Sequence, residues 1–299
     1  MVDSTTALRL TGVGKSYPGF QLQDIHLELP AGSIMGFVGP NGAGKTTTIR
    51  IITNLASPDT GTVEVLGRCW DAAEVWIKNR LGYVPESNHL YESVTGNWLG
   101  NFLRRYYPTW DDAYFRALLE KFRVPGATMV KNLSKGDRAK LAVALALAHR
   151  PRLLILDEPT AGVDPVVRYT LLQELLEVIQ EETRAVLFST HIVSDLERIA
   201  DLVSYIVGGR IVLSGEKDVI LEKWHLVSFS LQNPAALEQV RRLLPYVKTR
   251  GREGRKVEGV TGDFSPRLLQ ELVQAADGEV NHRPLNLEEI MVVLTNGNW

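Results

Sequence analysis

A chain of 299 residues is long enough for about two domains with sizeable cores. Its 44% apolar and 23% charged residues are those of an ordinary globular protein, and a net charge of -2 excludes a global basic field for nucleic acid. The single cysteine, Cys69, excludes an intrachain disulfide; with no motif around it, it is expected as a small apolar filler.

The opening residues carry no charged segment followed by an apolar run, so no secretory leader is expected. Residues 22–29 alternate apolar and polar, as a half-exposed strand does. Residues 33–38 are an apolar strand, and GPNGAGKTT then turns into a helix reaching about Leu55. Another strand covers 62–66, and residues 98–122 are mostly helical with a break near Pro108. An Ala- and Leu-rich helix at 138–149 stops before Pro151. Its apolar run, 141–148, is far short of the roughly 20 residues of a membrane span. Strand 153–156 ends in Asp157 and Glu158, a helix covers 166–182, and a strand covers 185–189. Alternating strands and helices with apolar strands predict an α/β domain whose parallel sheet is covered on both faces.

After about Ser214 the pattern changes. Val227, Phe229 and Leu231 alternate with polar residues, while Leu237, Val240 and Leu244 form a helical stripe. Ser265 and Pro266 resemble a cap and first turn before Leu268, Leu269, Leu272 and Val273; Asn286 with Glu289 suggests a capped last helix. Residues 250–256 suit a hairpin loop. The expected division is 1–214 and a small α+β accessory domain at 215–299.

Gly39 and, four residues on, Gly44-Lys45-Thr46 make a complete P-loop between a strand and a helix. Backbone N–H groups of Gly39, Pro40-Asn41-Gly42-Ala43, Gly44 and Thr47 cradle phosphates in such a loop, apart from proline, which has none. Lys45 is placed to reach the β- and γ-phosphates of ATP, and the Thr46 hydroxyl to ligate magnesium. Asp157 suits the magnesium shell, and Glu158 suits a general base polarising the attacking water. His191 follows strand 185–189, so it falls on the ligand edge of the sheet, where it is either structural or a partner of the γ-phosphate or water.

With these residues in place, the chain resembles the nucleotide-binding subunit of ABC transporters over about residues 8–214. Leu133-Ser134-Lys135-Gly136-Asp137 resembles the family signature, Ala161-Gly162-Val163-Asp164 the D-loop, and His191 the switch histidine. Tyr17 stands where the family places an adenine-stacking aromatic; as a residue it also suits a partly buried loop. The resemblance implies a mixed-sheet core with a helical subdomain at about 86–150. It also implies head-to-tail dimers around two ATP, in which Ser134, Lys135 and Gly136 meet the partner's γ-phosphate and Asp164 couples the sites. Serine with Asp137 three residues on also reads as a helix cap, and both readings hold together, because a cap exposes the same N–H groups.

The sequence departs from the family at three places. Glu86 stands after Tyr83-Val84-Pro85 where glutamine is usual, and its carboxylate can still ligate magnesium. Lys135 replaces the commonest glycine and Asp137 the commonest glutamine. These residues, with Tyr107-Pro108-Thr109-Trp110-Asp111 and the ending from Leu287 to Thr295, are similar to a bacterial antibiotic-, drug- and sodium-export branch with separate membrane subunits. That resemblance implies a peripheral protein on the cytoplasmic face of the membrane. Leu90, Tyr91, Val94 and Trp98 lie where the family docks its permease, and as residues they suit either helix-in-groove docking or a core. The alternative is a soluble ABC ATPase acting on nucleic acid or ribosomes. Such chains usually carry two cassettes or a long coiled coil; here there is one cassette, no sustained heptad run and no nucleic-acid partner expected.

Overall fold

The computed structural model describes residues 6–87, 90–178, 183–231, 233, 236–250, 256–276 and 278–296. The chain divides into two compact units, Met1–Ser214 and Gly215–Trp299. The first contains β1 (Thr6–Tyr17), β2 (Phe20–Pro30), β3 (Ile34–Val38), α1 (Lys45–Ile52), β4 (Thr60–Val65), β5 (Arg68–Cys69), α2 (Trp70–Lys78) and β6 (Leu81–Val84). There follow α3 (Gly96–Leu103), α4 (Asp112–Lys121), α5 (Lys135–Leu147), β7 (Leu153–Asp157), α6 (Pro165–Val178), β8 (Ala185–Thr190), α7 (Val193–Ile199), β9 (Leu202–Val207) and β10 (Arg210–Glu216), of which residues up to Ser214 belong to this unit.

Two sheets form the core of this unit. One is an antiparallel ribbon in the order β2-β1-β4-β5; the other has six strands in the order β10-β9-β3-β8-β7-β6. Pairing within β9-β3-β8-β7-β6 is parallel, as the apolar strands predict. Strand β2 keeps its alternation with Leu22 and Ile25 buried three apart, because Asp24 turns left-handed between them with φ 52. One apolar cluster joins the sheets: Leu8 and Leu10 of β1, Leu27 and Leu29 of β2, Met35 and Phe37 of β3, Ile49 and Ile52 of α1, and Ile155 of β7. Each such side chain contributes roughly 1.5–3 kcal/mol by leaving water.

Helix α5 packs against β6, and α3 and α4 pack against α5. In α5 every residue from Ala139 to Leu147 is buried, as expected of a helix apolar nearly all round. Its one buried cation, Lys140, donates to Phe122 O at 2.7 Å and pairs with Asp137 at 2.6 Å. The interruption near Pro108 is a full break, since α3 ends at Leu103 and α4 starts at Asp112, capped by Asp111. Helix α6 is described to Val178; residues 179–182 of the expected helix lie outside the described residues. Cys69 departs from expectation: it is exposed, because the two-residue strand β5 sits at the rim of the antiparallel sheet.

The second unit contains α8 (Lys217–Lys223), β11 (His225–Ser230), α9 (Leu237–Leu243), β12 (Tyr246–Arg250), β13 (Lys256–Thr261), α10 (Pro266–Ala275), β14 (Asn281–Pro284) and α11 (Leu287–Asn296). Its sheet runs β12-β13-β11-β14. The pairs β12–β13, β11–β13 and β11–β14 are antiparallel. Val227, Phe229 and Leu231 are buried with Val240, Leu244, Leu268 and Leu272. Val273, expected in the same stripe, faces outward at 49% exposure. Both caps form: Ser265 accepts from Leu268 N at 3.3 Å, and Glu289 N donates to Asn286 Oδ1 at 2.8 Å while Asn286 N donates back to Glu289 Oε2 at 3.1 Å. Of the loop expected at 250–256, Arg250 and Lys256 are instead paired ends of β12 and β13, and residues 251–255 lie outside the described residues.

Candidate functional site

Strand β3 delivers the chain at Val38 to the carboxyl edge of the parallel sheet, and the loop from Gly39 returns it as α1. Two glycines make that loop possible. A Cβ at Gly39 would stand 2.3 Å from Ile206 O, and Gly44 caps α1 with a left-handed φ of 114, where a Cβ would meet Leu22 Cδ2 at 2.6 Å. The loop walls a cavity of about 580 Å³ lined by Gly19, Phe20, Pro40, Asn41, Gly42, Gly44, Lys45, Thr46, Thr47, Glu86 and Glu158. The first-turn N–H groups of α1 would meet an anion there with the favourable end of the helix dipole.

Lys45 is only 6% exposed. Its ammonium donates to Gly39 O at 2.7 Å and Pro40 O at 3.4 Å, and stands 3.4 Å from Glu158 Oε1. Phosphate oxygens would compete for the same three N–H donors. Glu158 is itself buried, and its other oxygen lies 2.7 Å from His191 Nδ1. The backbone N–H of His191 donates to that same oxygen at 3.3 Å. Glu158 therefore stands between the P-loop lysine and the histidine at the end of β8. Its φ of 50 turns the chain sharply out of β7, and its own N–H donates to Ser189 O at 3.0 Å.

Asp157 is fully buried, and neither carboxylate oxygen accepts a hydrogen bond. Burial pushes its carboxyl above the usual range; nearby Ser189 and Thr46 favour the charged form, and Glu86 and Glu158 oppose it. A buried carboxylate with both oxygens unpartnered beside a hydroxyl is costly unless a cation or donor meets it. Asp157, Thr46 and Glu86 also line a second cavity of about 680 Å³, with Tyr83, Leu90, Leu103, Tyr107 and His149 among its other walls. Of the expected docking residues, Leu90 lines this cavity, while Tyr91 and Trp98 are 68% and 46% exposed and Val94 is half-buried.

Five expected ATP-binding residues lie elsewhere. Tyr17 is exposed at the end of β1, with Lys15 Nζ 5.8 Å from its ring centre. Ser134 caps α5: its Oγ accepts from Asp137 N at 3.0 Å and donates to Asp137 Oδ2 at 2.8 Å. Asp137 thus has a local role, holding both the cap and Lys140. A Cβ at Gly162 would come within 2.4 Å of Lys135 Nζ, and one at Gly136 within 3.7 Å of Asp164 Oδ2. The Ser134-Lys135-Gly136 turn therefore neighbours the 161–164 loop of its own chain, and neither lines the P-loop cavity. Sequence reasoning missed Gly19 and Phe20, which line the cavity, and a hydrogen-bonded cluster of buried Thr160 and Asp195 with half-buried Arg168.

A phosphate-cradling loop at the sheet edge, with a buried lysine, a buried glutamate and an exposed histidine in sequence of contact, defines a P-loop nucleoside triphosphatase. The ABC transporter family profile matches residues 22–161. The Nod factor export ATP-binding protein I of Sinorhizobium fredii is 31% identical over 98% of this chain and 87% of its own length. The ABC transporter ATP-binding protein YtrB of Bacillus subtilis is 28% identical over 97% of this chain and 98% of its own. A solved ATP-binding subunit of an ABC transporter superposes with a TM-score of 0.67 at 28% identity, over 73% of this chain and 92% of that one. The chain belongs to the ABC transporter ATP-binding proteins: it binds ATP and is an ATPase subunit of the exporter-like type. Among the described residues no helix is long and apolar enough to cross a membrane.

Proposed function

We propose that this protein hydrolyses ATP with magnesium at paired sites in a homodimer and so drives export through a separate membrane-spanning subunit. The observation that carries the reading is Glu158 held between Lys45 and His191 at the mouth of the P-loop. Lys45 binds the β- and γ-phosphates; Glu158 takes a proton from the attacking water; His191 orients Glu158 and the γ-phosphate. Thr46, Asp157 and Glu86 fit a magnesium ion, which is ordinarily held by one or two carboxylates together with substrate phosphates. Bound there, the ion neutralises charge developing on the phosphates.

Tyr17 offers an exposed ring face for adenine. Ser134, Lys135 and Gly136 lie outside the P-loop cavity of their own chain, which supports a head-to-tail pair in which each signature turn closes the other chain's site. Asp164, beside that turn, reports one site's state to the other. Under this reading 1–214 is the catalytic domain and 215–299 an accessory one. The protein works at the cytoplasmic face of a membrane, where the cavity at Leu90 takes a segment of the permease.

The reading is tested by phosphate release from the wild type and from Glu158→Gln, each with ATP and with magnesium or a chelator. Hydrolysis that needs magnesium and falls at least a hundredfold in Glu158→Gln, with ATP still bound, is the expected result. Undiminished turnover in the variant overturns it.

A further inference from the structure

Asp157 is not the only acid sealed inside the first unit. Asp195, near the start of α7, is 1% exposed. Thr160 Oγ1 donates to its Oδ2 at 2.9 Å, and Arg168 Nε of α6 donates to its Oδ1. The Arg168 guanidinium also donates to Ser194 Oγ at 2.9 Å. Both carboxylate oxygens are thus engaged, one by a loop and one by a helix.

The loop is the one that carries Glu158 and Asp164. It leaves β7 through the left-handed Glu158, passes Gly162 at φ 66 and ends where α6 begins. A non-glycine residue holds that conformation only where its surroundings fix it. Its short internal hydrogen bonds, Ala161 N to Glu158 O at 3.1 Å and Val163 N to Thr160 O at 3.2 Å, shape the turn without anchoring it to the segment that bears His191. Three contacts do anchor it there: Glu158 N to Ser189 O, Glu158 to His191, and Thr160 to Asp195. The first two lie at the mouth of the P-loop; the third is buried and touches no part of the cavity.

We infer that Asp195 is a positioning residue for hydrolysis: braced by Arg168, it holds Thr160 and thereby fixes the Glu158 carboxylate against His191 and the P-loop. The inference rests on the reading of Glu158 as the base. A merely structural ion pair would join α6 to α7 and need no hydroxyl from the loop; buried ion pairs add little stability over apolar packing, so stability alone gives weak grounds for this one. The arrangement places the acid four residues after His191 in chain, so one short segment both presents the histidine and grips the loop that bears its partner.

The test uses the full chain with Thr160→Val, which cuts the loop's tie and leaves Arg168 paired with Asp195, alongside Asp195→Asn and Asp195→Glu. Steady-state ATP hydrolysis, affinity for a fluorescent ATP analogue with magnesium, and the melting temperature are measured for each. Thr160→Val is expected to lower kcat about tenfold to a hundredfold with KM and analogue affinity within about twofold, the size of effect a small misplacement of a reacting group produces. Asp195→Glu is expected to recover part of the rate lost in Asp195→Asn. On a Glu158→Gln background, Thr160→Val should cause no further loss, because the group it positions is already gone. An unchanged kcat in Thr160→Val with only a lowered melting temperature overturns the inference, as do losses that multiply in the double variant. If Glu158→Gln alone keeps full turnover, the reading of the base fails instead, and the two failures are told apart.

Discussion

His191 Nδ1 lies 2.7 Å from Glu158 Oε2, and the same oxygen accepts the backbone N–H of His191 at 3.3 Å. One residue thus orients the carboxylate by ring and by backbone together. Removing the ring leaves one of the two contacts. His191→Ala is therefore expected to lower kcat by about tenfold to a hundredfold while leaving ATP affinity within a few-fold, less than the loss in Glu158→Gln. Phosphate-release kinetics with a parallel binding titration check both numbers.

Lys45 is expected to act on binding as well as rate. It is buried beside Glu158, so Lys45→Ala strips a buried carboxylate of its neighbouring cation as well as removing the proposed phosphate ligand. Loss of analogue binding by at least about tenfold is the expected outcome, with equilibrium titration as the measurement.

Ser134 is exposed at the start of α5, in a turn separate from the P-loop cavity of its own chain. In a head-to-tail pair it would face the other chain's ATP. Ser134→Arg should then leave the monomer folded and able to bind ATP but prevent ATP-dependent dimerisation. Light scattering of Glu158→Gln with saturating ATP, with and without the added Ser134→Arg, makes the comparison; a dimer in both would refute the head-to-tail arrangement.

Acid sensitivity has a source in His149. Burial pushes its imidazole down to about 4 from 6.5, although its ring donates to Leu81 O at 3.2 Å and stacks on Tyr107 with centroids 4.1 Å apart. Between those two values the unfolded chain takes up a proton that the folded chain refuses, so stability is full above pH 6.5 and is lost as pH falls toward 4. The loss by pH 5 is about 2 kcal/mol. Asp157, whose carboxyl burial pushes up, works in the opposite sense and is common to both proteins compared. Urea unfolding at pH 7 and pH 5 should show His149→Gln losing about 2 kcal/mol less than wild type.

The permease reading makes a separate demand. Leu90 lines the 680 Å³ cavity, and Tyr91 and Trp98 are exposed nearby in the chain. Leu90→Glu with Trp98→Glu should abolish co-purification with a multi-span membrane protein from detergent-solubilised membranes while basal hydrolysis in solution persists. Retained co-purification would move the docking surface elsewhere.

Features whose placement depends on near neighbours in sequence are legible in the sequence itself. The P-loop, the acid-tipped strand β7, the Ser134 cap and the Asn286–Glu289 cap all rest on spacings of a few residues, where local geometry dictates position. Strand β1 was not legible, because register shifts near Val13 break its alternation. Short helices α2 and α7 lack a side-chain cap to announce them. The Thr160–Arg168–Asp195 cluster joins positions 27 and 35 residues apart, a separation that no periodicity signals. Cys69 was misjudged because composition cannot tell a core filler from the rim of a sheet.

The turn at Glu158 carries one more consequence. Strand β7 ends with Asp157 in register with Ser189 of β8, and the next residue swings out of the strand at φ 50. Two adjacent acids therefore look toward different targets, one into the sheet edge behind Thr46 and one toward His191. A protein with the two exchanged, Asp157→Glu with Glu158→Asp, would keep its composition, its charge and its hydropathy, yet each carboxylate would arrive a methylene too long or too short for its target. What this corner of the chain encodes is an order of reach, and no sum over residues contains it.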